Sequence, residues 1–138
     1  MIVVDPQIRE AMLVHAENCL PEESCGLLAF GPDGRIRMAY PLTNDVHSNT
    51  NYTIEPREHF KALRHAEAQG WEISGVFHSH PDSAAYPSPT DVRLAPDPTW
   101  LYVVVGMGDR TNPEVRGFRI LDGEIHDETL TFQERTEQ

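Results

Sequence analysis

The chain has 138 residues and a formal net charge of −11, from 22 acidic against 11 basic side chains. That length suits one domain, residues 1–138, with a real core, and an acidic surface disfavours nucleic acid as a partner. No apolar run reaches about eighteen residues, so no membrane span is expected. The opening Met1-Ile-Val-Val-Asp5-Pro6 lacks a basic leader, and a cytoplasmic protein is expected.

Asp5-Pro6 is a helix opening, and Ile8, Met12, His15 and Cys19 recur at helical spacing, so a helix is expected over 6–19, stopped by Pro21. Cys25 to Phe30 is a short apolar strand, Gly31-Pro-Asp-Gly34 a turn, and Arg35 to Leu42 the returning strand. Thr43 to Asn51 is a polar loop, followed by a brief strand at Tyr52-Thr-Ile54. A second helix runs from about Arg57 to Gln69, with Phe60, Leu63 and Ala66 facing inward. Trp71 to Phe77 is a strand leading to two histidines, and 81–87 is a loop. A short helix is expected from Ser88 to about Ala95, then a buried strand from Trp100 to Val105. Val115 to Leu121 and Ile125 to Phe132, joined by Asp122-Gly123, read as a terminal hairpin. Cys19 and Cys25 are the only cysteines and are expected as free thiols, too few for a thiolate zinc site.

The chemistry concentrates in His78-Ser79-His80-Pro81, followed by Ser88 and Asp91. Two histidines two apart on a strand face the same side, and an aspartate from the next element completes three protein ligands. Zinc held by three such ligands keeps a position open, the layout of a hydrolytic site. Ser88-Pro-Thr-Asp91 also reads as a plain helix N-cap with proline at N1 and an acid at N3. The two readings are compatible, because a helix start is a rigid place from which to aim a carboxylate. Glu22 and Glu23, before Ser24-Cys25-Gly26, either are solvated junction residues or include the base a zinc hydrolase needs.

Glu-x-Cys-Gly, His-x-His-Pro and Ser-x-x-Asp together resemble the JAMM motif of the MPN-domain metalloproteases, over nearly the whole chain. The resemblance implies an α/β fold with a mixed curved sheet flanked by helices. It implies one catalytic zinc ion on His78, His80 and Asp91, Glu23 as general base, and Ser88 as a donor to the oxyanion. The implied substrate is a ubiquitin-like or sulfur-carrier protein, cleaved after its C-terminal Gly-Gly. Ala84-Ala-Tyr86-Pro-Ser88-x-Thr-Asp91 is most similar to prokaryotic members that release cysteine from such carriers. A non-catalytic MPN scaffold and a DNA-repair-associated relative are the competing implications. The first would lack the ligands, and the second would carry an N-terminal helical module. Of the other histidines, His15, His59 and His65 are expected on amphipathic or exposed helix faces, and His126 without a partner. His47 is a further candidate to line the cleft, which Thr43–Asn51 or Asp82–Pro87 would cover.

Overall fold

A computed structural model describes residues 1–95 and 97–134. The elements, in chain order, are β1 (Ile2–Val4), α1 (Pro6–Cys19), β2 (Cys25–Phe30), β3 (Ile36–Leu42), α2 (Pro56–Gln69), β4 (Glu72–His80), α3 (Pro89–Arg93), β5 (Leu101–Gly106), β6 (Glu114–Leu121), β7 (Glu124–Glu128) and β8 (Leu130–Phe132). Among the described residues, all eight strands join one mixed sheet in the order β7-β6-β5-β4-β2-β3-β1-β8. Its outermost strands, β7 and β8, are separated in the chain by Thr129 alone, so the sheet curls until it is nearly closed.

Alternation along β2 assigns the two helices to opposite faces. Leu28 packs with Met12 and Ala16 of α1, together with Phe77, Val103 and Val105. Leu27 and Ala29 pack instead with Ala62 and Ala66 of α2. The expected inward face of α2 therefore needs correction. Ala66 is buried as expected, but Phe60 and Leu63 are 59% and 43% exposed, and Ala62 takes their place. Two small residues one turn apart let the helix lie close to the sheet, while Phe60 rests under the Arg64 guanidinium.

Three other expectations change. Tyr52–Ile54 joins no strand of the sheet; among the described residues its β-pairing is an isolated bridge between Asn44 and Ile54. The last hairpin ends at Glu128, and Leu130–Phe132 leaves it to pair in parallel with β1, a strand that was not anticipated. β4 continues through His80, so both histidines belong to the strand itself. The Asp122-Gly123 turn has positive φ at both residues, as a tight hairpin requires. β5 is buried along its full length.

The segment after β4 folds back onto the end of β5. Met107 N–H donates to His80 C=O at 3.0 Å, and Gly108 N–H to Ser83 C=O at 3.1 Å. Ala85 is fully buried there, against Val104 and Phe118. Gly106 makes this seat possible. A Cβ at this position would collide with the Ala85 backbone nitrogen and lie 2.7 Å from the Ala84 carbonyl carbon. We therefore expect Gly106→Ala to cost about 1–3 kcal/mol in urea denaturation, because backbone rather than a flexible side chain must move. A midpoint unchanged from the parent would show that 81–87 is not seated on this strand.

Candidate metal centre and catalytic cleft

Parallel pairing of β4 with β5 and antiparallel pairing with β2 bury the histidine end of β4 on both sides. His78 and His80 share the face of Val76, against which Tyr52, Ile54 and Val92 of α3 pack, while Phe77 points to the α1 side. Asp91 arrives from α3, where a capping box holds it. Ser88 Oγ accepts from Asp91 N–H at 3.1 Å, and Asp91 Oδ2 accepts from Ser88 N–H at 2.8 Å. The cap and the ligand are thus the same local structure.

The three ligand atoms converge. His78 Nε2 and His80 Nε2 are 3.1 Å apart, and they lie 3.1 and 3.0 Å from Asp91 Oδ2. A tetrahedral zinc ion with bonds of 2.0–2.1 Å would have ligand–ligand edges of roughly 3.3 Å, so this triangle fits the ion closely. His80 Nδ1 faces the Ala84 carbonyl oxygen at 3.2 Å. A carbonyl only accepts, so Nδ1 bears the proton and Nε2 presents its lone pair in the neutral ring. The His78 ring stacks on Tyr52, with centroids 4.8 Å apart and an interplanar angle of 23°. Two imidazoles and a carboxylate are a donor set suited to zinc, and among the described residues these three form a group able to hold a metal.

Electrostatics bind the group together. Burial raises the Asp91 carboxyl pKa, but hydrogen bonds from His78 and His80 outweigh it and hold the carboxyl far below its ordinary range. For His80, burial opposes the charged ring, while the hydrogen bond and charge of Asp91 prevail and raise its pKa.

Glu23 and Glu22 part company. Glu22 meets His47 at the surface at 3.2 Å, and His47 lines neither cavity beside the centre. Glu23 is 4% exposed, and its Oε1 is buried without a hydrogen-bond partner. Burial first, and then the negative charge of Asp91, push its carboxyl up to about 7, against the opposing pull of His80. Glu23, His80 and Ser88 line one cleft of about 260 Å³, which Asn49 and Thr50 from one loop and Asp82 and Ser83 from the other also border. A larger cavity, about 430 Å³, has Asp91 in its wall and is apolar, with Tyr52, Ile54, Val76, Trp100 and Tyr102 around it.

The remaining candidates fall outside this constellation. Cys19 and Cys25 are free thiols, and burial pushes Cys25 up to about 12, which leaves it inert. His15, expected on an amphipathic or exposed face, is half-buried and hydrogen-bonds the carbonyl oxygens of Cys25 and Leu42. His65 Nδ1 pairs with the Tyr40 hydroxyl at 2.7 Å, and His126 has a distant carboxylate, Glu124, at 3.6 Å. Sequence reasoning missed Tyr52, Asn44 and Ser79. An aromatic next to an Asn-rich loop was visible, but nothing local announced that its ring would reach His78.

This union of sheet and site defines the JAMM/MPN class of domain. The chain belongs to the prokaryotic homologs of the JAB domain, the family that matches residues 5–121. It is 36% identical to the CysO-cysteine peptidase of Mycobacterium tuberculosis over 98% of this chain and 93% of that one. Against the desampylase of Haloferax volcanii the identity is 33%, over 70% of this chain and 73% of the relative. The solution structure of a protein from Desulfitobacterium hafniense superimposes with a TM-score of 0.90 at 35% identity, covering 99% and 96% of the two chains. The expected mixed curved sheet flanked by helices is the fold found.

The buried Glu23 carboxyl gives stability a pH dependence. In the unfolded chain it ionises near 4.5, and in the folded metal-free protein near 7. Folding is therefore penalised increasingly as pH rises through that window, by about 3 kcal/mol once it is passed. Glu23→Gln removes the titration. The variant should gain about that much over the metal-free parent between pH 4.5 and 8, measured by urea denaturation, and match it below pH 4.5. A difference that does not vary with pH would refute the assignment.

Proposed function

We propose that this protein is a zinc-dependent peptidase that hydrolyses the bond after the C-terminal Gly-Gly of a ubiquitin-like or sulfur-carrier protein in the cytoplasm, releasing cysteine. The observation that carries the reading is a buried carboxyl without a partner, Glu23, in the same cleft as a His-His-Asp triangle of metal-ligand dimensions. The cysteine-releasing form rests on the likeness to a CysO-cysteine peptidase across nearly the whole chain.

His78, His80 and Asp91 would hold the metal, and His80 is kept in the ligating tautomer by Ala84 C=O. When bound, zinc supplies Lewis acidity that brings the ionisation of water toward neutral pH. Glu23, buried in the same cleft, would accept a proton from the attacking water and return it to the leaving amine. The Ser88 oxygen accepts the Asp91 N–H, which leaves its own hydroxyl proton free to donate to the carbonyl oxygen as that becomes an oxyanion. Loss of one such donor typically costs about 3–4 kcal/mol of barrier. A diglycine tail has no side chains to clash within a narrow cleft. The apolar cavity beside Asp91 offers a wall on which the polypeptide before it can bury apolar atoms.

A second reading, cleavage of a conjugate from a lysine side chain, is favoured by the desampylase relative. The intact triangle argues against a non-catalytic scaffold, and the net charge of −11 argues against a DNA-repair role.

Zinc-loaded protein incubated with a recombinant carrier ending in Gly-Gly-Cys should release cysteine and leave a carrier ending in Gly-Gly, both read by mass spectrometry. Release with Glu23→Gln or His80→Ala should fall by at least about 100-fold, and with Ser88→Ala by about 100-fold or more when compared at equal zinc content. Full activity in Glu23→Gln would overturn the mechanism. Cleavage of a lysine-linked conjugate alone would replace the first reading by the second.

A further inference from the structure

A general base must be aimed, and the Glu23 carboxyl makes no hydrogen bond through Oε1 that could aim it. Its direction is set by its backbone. Glu23 lies outside the sheet, two residues before β2 begins. On one side the chain is pinned to β4: Ser24 N–H and Ser24 Oγ–H both donate to Ser79 Oγ, at 2.8 and 2.9 Å, and Ser79 N–H donates to Ser24 C=O at 3.1 Å. Something must hold the other side.

That hold is the loop between β3 and α2, and one residue organises it. Asn44 is 5% exposed. Its Nδ2 donates to the carbonyl oxygens of Glu23 at 3.1 Å and Asn51 at 2.9 Å, with a longer contact to Ser48 C=O at 3.4 Å. Its Oδ1 accepts from Val46 N–H at 3.2 Å and Thr53 N–H at 3.1 Å. The loop so closed returns a bond of its own, since Ser48 C=O accepts from Glu23 N–H at 2.8 Å. Both peptide groups of Glu23 are thus tied to a loop that the buried Asn44 amide closes together with backbone bonds from Asp45 N–H to Thr53 C=O at 2.7 Å and Glu55 N–H to Thr43 C=O at 3.2 Å. The same loop carries Tyr52, stacked on His78.

From this geometry we infer that Asn44 is a positioning residue for Glu23. It acts through the Glu23 backbone, keeping the carboxyl directed into the cleft of His80 and Ser88. The inference rests on the proposed role of Glu23 as the base. An amide suits the position because its nitrogen donates to the two carbonyls of Glu23 and Asn51 while its oxygen accepts from N–H groups on the other side; a carboxylate has no hydrogen to donate and a hydroxyl has only one.

Asn44→Asp separates the two functions. The carboxylate keeps an oxygen that accepts from Val46 and Thr53 N–H, but in place of both donors it sets a second oxygen against the Glu23 and Asn51 carbonyls, and the melting temperature of the variant reports whether the loop turn survives. With zinc-loaded protein and the carrier ending in Gly-Gly-Cys, we expect kcat to fall by about 10- to 100-fold with KM within about twofold and zinc content unchanged. In a Glu23→Gln background the same substitution should cost nothing further. By NMR, the Glu23 amide should exchange with solvent about tenfold faster or more in Asn44→Asp, with or without metal. Asn44→Ala should lose both the loop and activity, and its melting temperature separates unfolding from misplacement. Parental kcat in Asn44→Asp, or an equal loss in the Glu23→Gln background, would overturn the inference. If Glu23→Gln itself keeps full activity, the fault lies with the proposed base and not with Asn44 alone.

Discussion

The register between β2 and β4, in which Cys25 faces His78 and Gly26 faces Phe77, is the constraint on which the site depends. Extended by the bonds between Ser24 and Ser79, it brings the junction before β2 beside the end of β4. Glu23 and the two histidines come together although some fifty-five positions separate them. Slippage by one residue would turn His78 and His80 to the α1 side and send Phe77 and Ser79 into the cleft. The pattern of apolar residues prevents this. Phe77 is buried in the cluster that contains Met12 and Val103, whereas Val76 belongs to the cluster on the opposite face.

The centre is assembled from groups that are costly to bury, and each cost is offset locally. Asp91 carries its charge into the interior against the rings of His78 and His80, with a backbone N–H from its own cap. Glu23 alone is left uncompensated on one oxygen. A structure selected for stability alone would not keep that arrangement, and strain of this kind gathers at functional sites. The surrounding rigidity comes from elements that have no chemistry themselves, namely the Ala85 seat over Gly106 and the Asn44 loop.

Much of this was legible in the chain. α1 runs from Pro6 to Cys19 as its proline opening and apolar spacing implied, and His78, His80 and Asp91 sit together as the two-residue alternation and the cap motif suggested. Between Glu22 and Glu23, residue type alone could not choose, since both are acids at a junction. Burial separates them, and burial is a property of the assembled fold. Phe60 and Leu63 misled for a related reason. Helical periodicity locates an apolar stripe, but tertiary packing selected the small Ala62 and Ala66 for the close approach. Tyr52-Thr-Ile54 has the composition of a strand, yet its neighbourhood is ruled by Asn44, whose bonds reach residues as distant as Glu23.

The parallel pairing of Ile2–Val4 with Leu130–Phe132 carries a consequence for how the molecule comes into being. β1 pairs with β3 and with β8, and β8 lies some 128 positions further along the sequence, so Ile2, Val3 and Val4 wait for that second partner while the intervening chain folds. Contacts this distant in sequence are slow to form. The ladder from β2 to β6 can be laid down among residues 25–121, but the seam closing the sheet waits for β8. Leu130 and Phe132 pack against the α1-side cluster that holds Val4, so that cluster stays incomplete until β8 joins β1.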